Sequence, residues 1–430
     1  LLNACSNHRT EAAAHKARRG DRDRGARSRT PMLRRALGAS LSRRFSSASS
    51  ASAAGSLYIC GTGESNKLGL GDTSDRETPT LVEGIGAPVQ HVACGKYHTM
   101  ALTASGDVYA WGLESSGQLG MGRTKAKTPQ KVEALSGIGV RQLSCGSYHT
   151  LALTEAGDVW SWGFGGSFFN GAGGLGHGDR KQLDEPRRIA AFGEEAGVIV
   201  QTVSAGGYHS LAQDTEGGVW TWGRGEWGRL GHGDASDALV PTRVEECDEL
   251  GGVVGAAAAH SHSACLLGDG RLFTWGRNEH WQLGYEVVGL FNSGQSFDAE
   301  AMPTLVPMPE AESARVTQFA CGEQGSVAVL EDQSVWLWGM RRYFEPTRLP
   351  NAPGEVSPDD PVVDLQCGST HIALLTQSGR VFTYGQGTAL ALPKRERKSW
   401  ELAEVTVLEG RRVLQVACGS ASTALIVADA

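Results

Sequence analysis

Histidine and cysteine are the residues whose spacing in this chain most invites chemistry. His98, His149, His209, His262 and His371 each stand four positions after a recurring small residue, at Cys94, Cys145, Ala205, Ala258 and Cys367. Five imidazoles in phase suggest a metal held on an axis. A zinc ion needs its nitrogen donors within about 2.0–2.1 Å, and one imidazole per repeating unit leaves them too far apart. The expectation is that each His bonds backbone within its own unit and fixes a turn. The cysteines share the same phase and none forms Cys-x-x-Cys, so they read as small buried hydrophobes rather than zinc ligands or a disulfide framework. Gly171-Ala-Gly-Gly-Leu-Gly176 matches a dinucleotide fingerprint, but no helix pattern follows it before Pro186. There is no phosphate-loop lysine motif and no Gly-x-Ser-x-Gly. No catalytic, cofactor-binding or metal-binding residue is therefore assigned.

Side chains suited to contact rather than reaction cluster in three places. Phe164, Phe168 and Phe169 sit in a Gly-rich loop, and aromatic rings in such a loop mark contact surfaces. The segment 285–302 carries Leu290, Phe291 and Phe297 in an otherwise loose insertion. Lys394, Arg395, Arg397 and Lys398 lie beside Trp400 and form the one basic cluster in an acidic body, a candidate for contact with rRNA or an acidic protein.

These positions are carried by a repeat. Seventeen residues after each of Cys94, Cys145, Ala205, Ala258, Cys321 and Cys367 comes an aromatic followed by Gly: Trp111, Trp162, Trp222, Trp275, Trp338 and Tyr384. Intervals between units run from 46 to 63 residues, so the variation falls in loops. In the first unit, Val89–Cys94, His98–Thr103 and Val108–Trp111 read as strands, with a Gly-containing turn at 104–107 and an edge strand opening near Pro129. The third strand carries two aromatics two apart, which share one face. A last unit begins at Cys418 and lacks its third and fourth strands, which the stretches 57–61 and 79–82 would supply. The reading is an all-β, seven-bladed β-propeller of four-stranded blades over 57–430, about 53 residues per blade, closed by pairing of the N- and C-terminal strands.

The chain has 430 residues, 58 of them Gly, and a net charge of −7. Residues 1–56 hold twelve basic and three acidic side chains, leaving 28 basic and 44 acidic in the rest, a balance that repels phosphate backbones overall. From Met32 the leader is rich in Ser, Ala and Arg and free of acid, with Leu33, Leu37 and Leu41 on one helical face. That is the make-up of a mitochondrial transit peptide, with a matrix-peptidase-like site after Phe45. A plastid address is the alternative, and residues 1–31 read as a disordered start. No stretch is long and apolar enough for a membrane-spanning helix.

Cys94-Gly-Lys-Tyr-His98-Thr, Gly-Asp-Val-Tyr-Ala-Trp111-Gly and Gly117-Gln-Leu-Gly-Met-Gly122 together resemble the repeat of the regulator of chromosome condensation family. The resemblance covers essentially all of 57–430. It implies a seven-bladed propeller but no single activity, since that family includes an exchange factor for the Ran GTPase, a plant ultraviolet photoreceptor, ubiquitin-ligase modules and organellar proteins. The leading expectation is a non-enzymatic mitochondrial interaction scaffold, in or assembling the mitoribosome or a respiratory complex, without cofactor. The alternative is guanine-nucleotide exchange on a mitochondrial GTPase, with 164–174 and 285–302 as wedges. The Gly-Trp-Arg-His-Thr pattern of the light sensors is absent here, where Gly95-Lys-Tyr-His-Thr99 stands instead.

Overall fold

In a computed structural model of the chain, residues 54–167, 171–287, 298–308, 315–350, 356–392, 397–408 and 410–429 are described. All lie in the second of the two units into which chain contacts divide it, Leu1–Leu37 and Gly38–Ala430. The leader up to residue 53, Phe168, Phe169, Phe291, Phe297, Lys394 and Arg395 fall outside the described residues.

The described strands form seven antiparallel four-stranded sets, here called blades. Blade 1 comprises Val89–Cys94, His98–Thr103, Val108–Gly112 and Ala126–Lys131. Blades 2 to 6 repeat that order, their first strands being Val140–Cys145, Val200–Ala205, Val253–Ala258, Val316–Cys321 and Val362–Cys367. Blade 7 is assembled from both ends of the described chain. Val413–Cys418 and Ser422–Ala428 supply its first two strands, and Gly55–Gly61 and Arg76–Leu81 its last two. The register of that junction runs from Gly55 opposite Ala428 to Gly61 opposite Ser422. A further pair, Gly55 with Val89, joins blade 7 to blade 1.

Alternation explains what each strand buries. The third-strand aromatics Trp111, Trp162, Trp222, Trp275, Trp338 and Tyr384 are fully buried between adjacent blades. Gly69, Gly120, Gly176, Gly231 and Gly284 each lie against the indole of the next blade, at Trp111, Trp162, Trp222, Trp275 and Trp338. At Gly120, φ is +72° and an added Cβ would come within 2.8 Å of the Trp162 Nε1, so no larger residue fits.

The histidines act differently from the sequence expectation. Each bridges two blades instead of bonding its own backbone. His98 Nε2 lies 2.8 Å from Thr150 Oγ1, His149 Nε2 2.9 Å from Ser210 Oγ, and His209 Nε2 2.9 Å from Ser263 Oγ. His262 and His371 reach Ser326 and Thr423 in the same way. Each hydroxyl donates to a loop carbonyl of the histidine's own blade: Thr150 to Gln118, Ser210 to Gly174, Ser263 to Arg229. The buried Trp beside the hydroxyl donates to that same carbonyl, as Trp162 does to Gln118 at 2.9 Å. Because the hydroxyl proton is given to the carbonyl, the imidazole must donate from Nε2, and with Nδ1 buried and without an acceptor at His98, His209, His262 and His371 the ring is neutral. Burial enforces this, holding His98 and His262 down at about 3 and His149 and His371 at about 4. Between blades 5 and 6, Gly325 and Ile372 replace the His and the hydroxyl, and the Tyr343 and Tyr384 hydroxyls meet instead at 2.9 Å.

Residues 288–297 of the insertion at 285–302 lie outside the described residues, and its two ends are tied to blade 4. Ala299–Leu305 is the fourth strand of blade 4, pairing Gly276 with Glu300 and Phe273 with Leu305. Tyr285 is anchored by its hydroxyl, which donates to the Thr274 carbonyl at 2.9 Å.

Candidate functional site at the channel mouth

Antiparallel order puts the turns between first and second strands, and the long loops after third strands, at one end of every blade. The first strands of all seven blades line one axial cavity of about 790 Å³. At its mouth the residue two places after each small repeat residue comes forward: Lys96, Ser147, Gly207, His260, Glu323, Ser369 and Ser420. Lys96 crosses from blade 1 to blade 5, with its Nζ 3.1 Å from Glu323 Oε1, and Ser420 donates to Glu323 Oε2 at 2.9 Å. Burial pushes the Glu323 carboxyl up, but the fields of His260 and Lys96 and the hydrogen bonds from Lys96 and Ser420 pull it further down. His260 is itself kept neutral by burial, at about 4, so near pH 7 Lys96 and Ser420 hold the carboxylate. Ser147 Oγ lies 3.4 Å from His260 Nδ1.

One position further on, three consecutive blades present tyrosines. Ring centroids of Tyr97 and Tyr148 are 5.2 Å apart, and those of Tyr148 and Tyr208 are 5.9 Å apart. Phe164 lies 6.3 Å from both Tyr148 and Tyr208, and His260 continues the arc 6.1 Å from Tyr208. Burial raises the Tyr148 and Tyr208 hydroxyls, so the phenols are neutral donors. Arg224 stacks over Tyr208 at 5.7 Å, and Lys96 lies 5.8 Å from the Tyr97 ring centroid. All these rings are half-buried. Aromatic and guanidinium groups held rigidly in this way are what protein contacts draw on most heavily. Ser147 and His260 place a hydroxyl beside a neutral imidazole at the mouth, 3.4 Å apart, with no acidic side chain hydrogen-bonded to that ring among the described residues. Among the described residues, no group of three or more His, Cys, Asp or Glu side chains could hold a metal ion.

Of the residues singled out from sequence, Phe164 stands within this arc. Arg397 and Lys398 are elsewhere, at the fourth strand of blade 6, and Arg397 pairs with Glu77 of blade 7. Sequence reasoning missed Tyr97, Tyr148 and Tyr208. The signal was a Tyr directly before His98, His149 and His209, passed over because it belongs to the repeat rather than departing from it.

Among the described residues, no helix is long and apolar enough to cross a membrane. The family model of the regulator of chromosome condensation (RCC1) repeat matches residues 54–102, 105–153, 156–213, 216–266 and 269–329. The ultraviolet-B receptor UVR8 of Arabidopsis thaliana is 33% identical over 285 residues, which are 66% of this chain and 60% of that protein. Human E3 ubiquitin-protein ligase HERC2 is 30% identical over 392 residues, 87% of this chain but only 8% of the ligase. The mitochondrial RCC1 domain-containing protein RUG3 of Arabidopsis thaliana is 27% identical over 348 residues, covering 74% of this chain and 75% of RUG3. Among solved structures, Prp20p from Saccharomyces cerevisiae superposes with a TM-score of 0.75 at 21% identity, over 91% of this chain and 95% of that one. Human WBSCR16 does so at 0.70 and 23%, over 88% and 99%. With the repeat model matching well over half its length, the chain belongs to the RCC1 repeat family.

Proposed function

We propose that this protein is a non-enzymatic interaction scaffold of mitochondria, a component or assembly factor of a mitoribosomal or respiratory-chain complex. It is built on a seven-bladed propeller latched where Gly55–Gly61 meets Ser422–Ala428, and brought to the matrix by a leader that starts at Met32. The observation that carries the reading is the arc of Tyr97, Tyr148, Tyr208 and Phe164 beside the channel mouth. It offers rigid aromatic area with neutral hydroxyls, which suits holding a partner. The mitochondrial address of RUG3 supports the location. Phe168 and Phe169 extend the same loop in sequence, and Phe291 and Phe297 belong to the next candidate contact. The pairing of Arg397 with Glu77 weighs against a free cationic patch for rRNA at Lys394, Arg395, Arg397 and Lys398.

A second reading, exchange on a mitochondrial GTPase, is favoured by one feature. A small hairpin, Gly166–Ser167 paired with Gly171–Ala172, follows Phe164 in that loop, and the exchange reading takes it as the base of a wedge. Prp20p, whose reported binding partners are Gsp1p and histones, lends it the fold alone.

The test is purification of the tagged full-length chain from mitochondria, beside a Tyr97→Ser/Tyr148→Ser/Tyr208→Ser variant. Recovery of mitoribosomal or respiratory subunits with the parent and their loss with the variant is the expected result. Retention of every partner by the folded variant would overturn the assignment of this face. Acceleration of GDP release from a matrix GTPase would establish the second reading instead.

A further inference from the structure

One buried group is left unexplained by the latch and by the aromatic arc. Arg229 has a side chain only 1% exposed, and its Nη1 finds no hydrogen-bond partner. Its carbonyl serves the latch, accepting Ser263 and Trp275, a task any residue can perform. Equivalent positions hold Lys67, Gln118, Gly174, Gln282 and Ala389. Of these only Lys67 is charged, and its ammonium reaches the Lys96 carbonyl at 3.5 Å. The Arg229 guanidinium donates from Nε to the Glu226 carbonyl at 2.8 Å and meets the Glu226 carboxylate only at 3.5 Å. A buried guanidinium so thinly paired is costly to the fold.

Its surroundings are cationic in an otherwise acidic protein. Trp227, held at φ 63°, lies between Arg229 at 4.8 Å and Arg277 at 4.2 Å. Arg224 donates to the same Glu226 oxygen at 2.8 Å and stacks on Tyr208, which joins the cluster to the aromatic arc. Arg277 pairs with Glu279, which also holds Arg341. Four guanidiniums thus share two carboxylates, in a chain of net charge −7.

We propose that this cluster receives a carboxylate side chain of an acidic partner segment, with Glu226 as its built-in placeholder. Glu226 is 39% exposed on a short turn, so it can swing out from between Arg224 and Arg229. The incoming carboxylate then takes the Arg224 donor and the open donors of Arg229, and apolar neighbours in the same segment rest on Tyr208, Tyr148 and Phe164. An acidic peptide fits better than a phosphate backbone. The cluster already holds carboxylates, and its deepest donor, on Arg229, is only 1% exposed, so a single side chain suits it better than a polymer backbone. The inference rests on the reading of this face as the partner surface and names the partner's chemistry.

The test uses the full chain and a fluorescein-labelled peptide of alternating Glu and Leu, with a single-stranded RNA as the second probe, followed by anisotropy. The peptide is expected to bind, Arg224→Ala/Arg277→Ala to weaken it by about tenfold or more, and Glu226→Gln to tighten it by about threefold while lowering the melting temperature, since it leaves the buried Arg229 without its carboxylate. The RNA is expected neither to bind nor to compete. No binding by the parent and by Glu226→Gln, binding indifferent to the arginines, weaker binding by Glu226→Gln, or RNA displacing the peptide would each overturn the proposal. If native partners are lost with the tyrosine variant but kept with Arg224→Ala/Arg277→Ala, the carboxylate receptor fails while the aromatic face stands.

Discussion

Acid should dismantle this fold well before ordinary carboxylate chemistry would. The perturbation is a shift from pH 7.5 to pH 5. Five buried imidazoles are held far below their ordinary value of 6.5 by burial: His98 and His262 at about 3, and His91, His149 and His371 at about 4. The unfolded chain binds protons at these groups below pH 6.5 and the folded chain does not, so unfolding takes up protons. Their contribution to stability is complete above about pH 6.5 and is lost as pH falls toward the folded values. At pH 5 an imidazole lowered to about 4 has lost about 2 kcal/mol. Five of them come to about 10 kcal/mol, comparable with the whole stability of a typical domain. Asp364 acts with the opposite sign. Burial lifts it to about 6, so it returns about 1 kcal/mol over the same interval. The assay is urea denaturation across a pH series, with the slope of unfolding free energy against pH read as protons taken up. His149→Gln should reduce that slope by close to one proton. A midpoint that stays level between pH 7.5 and 5, or a slope untouched by His149→Gln, would refute the neutral inter-blade latch.

Three further outcomes follow from the same geometry. Trp222→Phe removes the indole donor from the Gly174 carbonyl, which keeps only Ser210, and should cost about 1–3 kcal/mol in thermal or chemical denaturation. Gly146→Ala would drive a Cβ into the Gly206 carbonyl of the next blade and into the His149 ring. It should lower the melting temperature more than Gly106→Ala, where the added Cβ meets no neighbour and only the +85° φ is strained. Lys96→Met breaks the cross-axis pair with Glu323. Since both groups are partly exposed, a double-mutant cycle with Glu323→Gln should give a coupling of about 1 kcal/mol or less that shrinks in high salt.

The repeat was legible because its burial is periodic. A fixed offset of seventeen from the small residue to Trp111, Trp162 or Trp222 is the length of one hairpin plus a strand, and the four-stranded blades came with it. What lay beyond reach was direction. His98-Thr99 and His149-Thr150 are adjacent on a strand, so their side chains point to opposite faces and hence to different neighbouring blades. That alternation was available in the sequence, but only the packing of blade 1 against blade 2 reveals that His98 meets Thr150 and not Thr99. Arg229 and Glu226 were illegible for a related reason. They read as repeat loop, and their meaning comes from Arg277, a blade away.

Hydrogen–deuterium exchange on the native complex beside the free chain tests whether partners bind at the mouth bearing Tyr97, Tyr148, Tyr208 and Arg224. If they do, exchange slows at Lys96–Tyr97, Ser147–Tyr148, Gly207–Tyr208 and Arg224–Gly228. Slowing confined to the hairpin turns at the other end of the blades, Ser105–Asp107, Ala156–Asp158 and Glu216–Gly218, would contradict binding at the mouth.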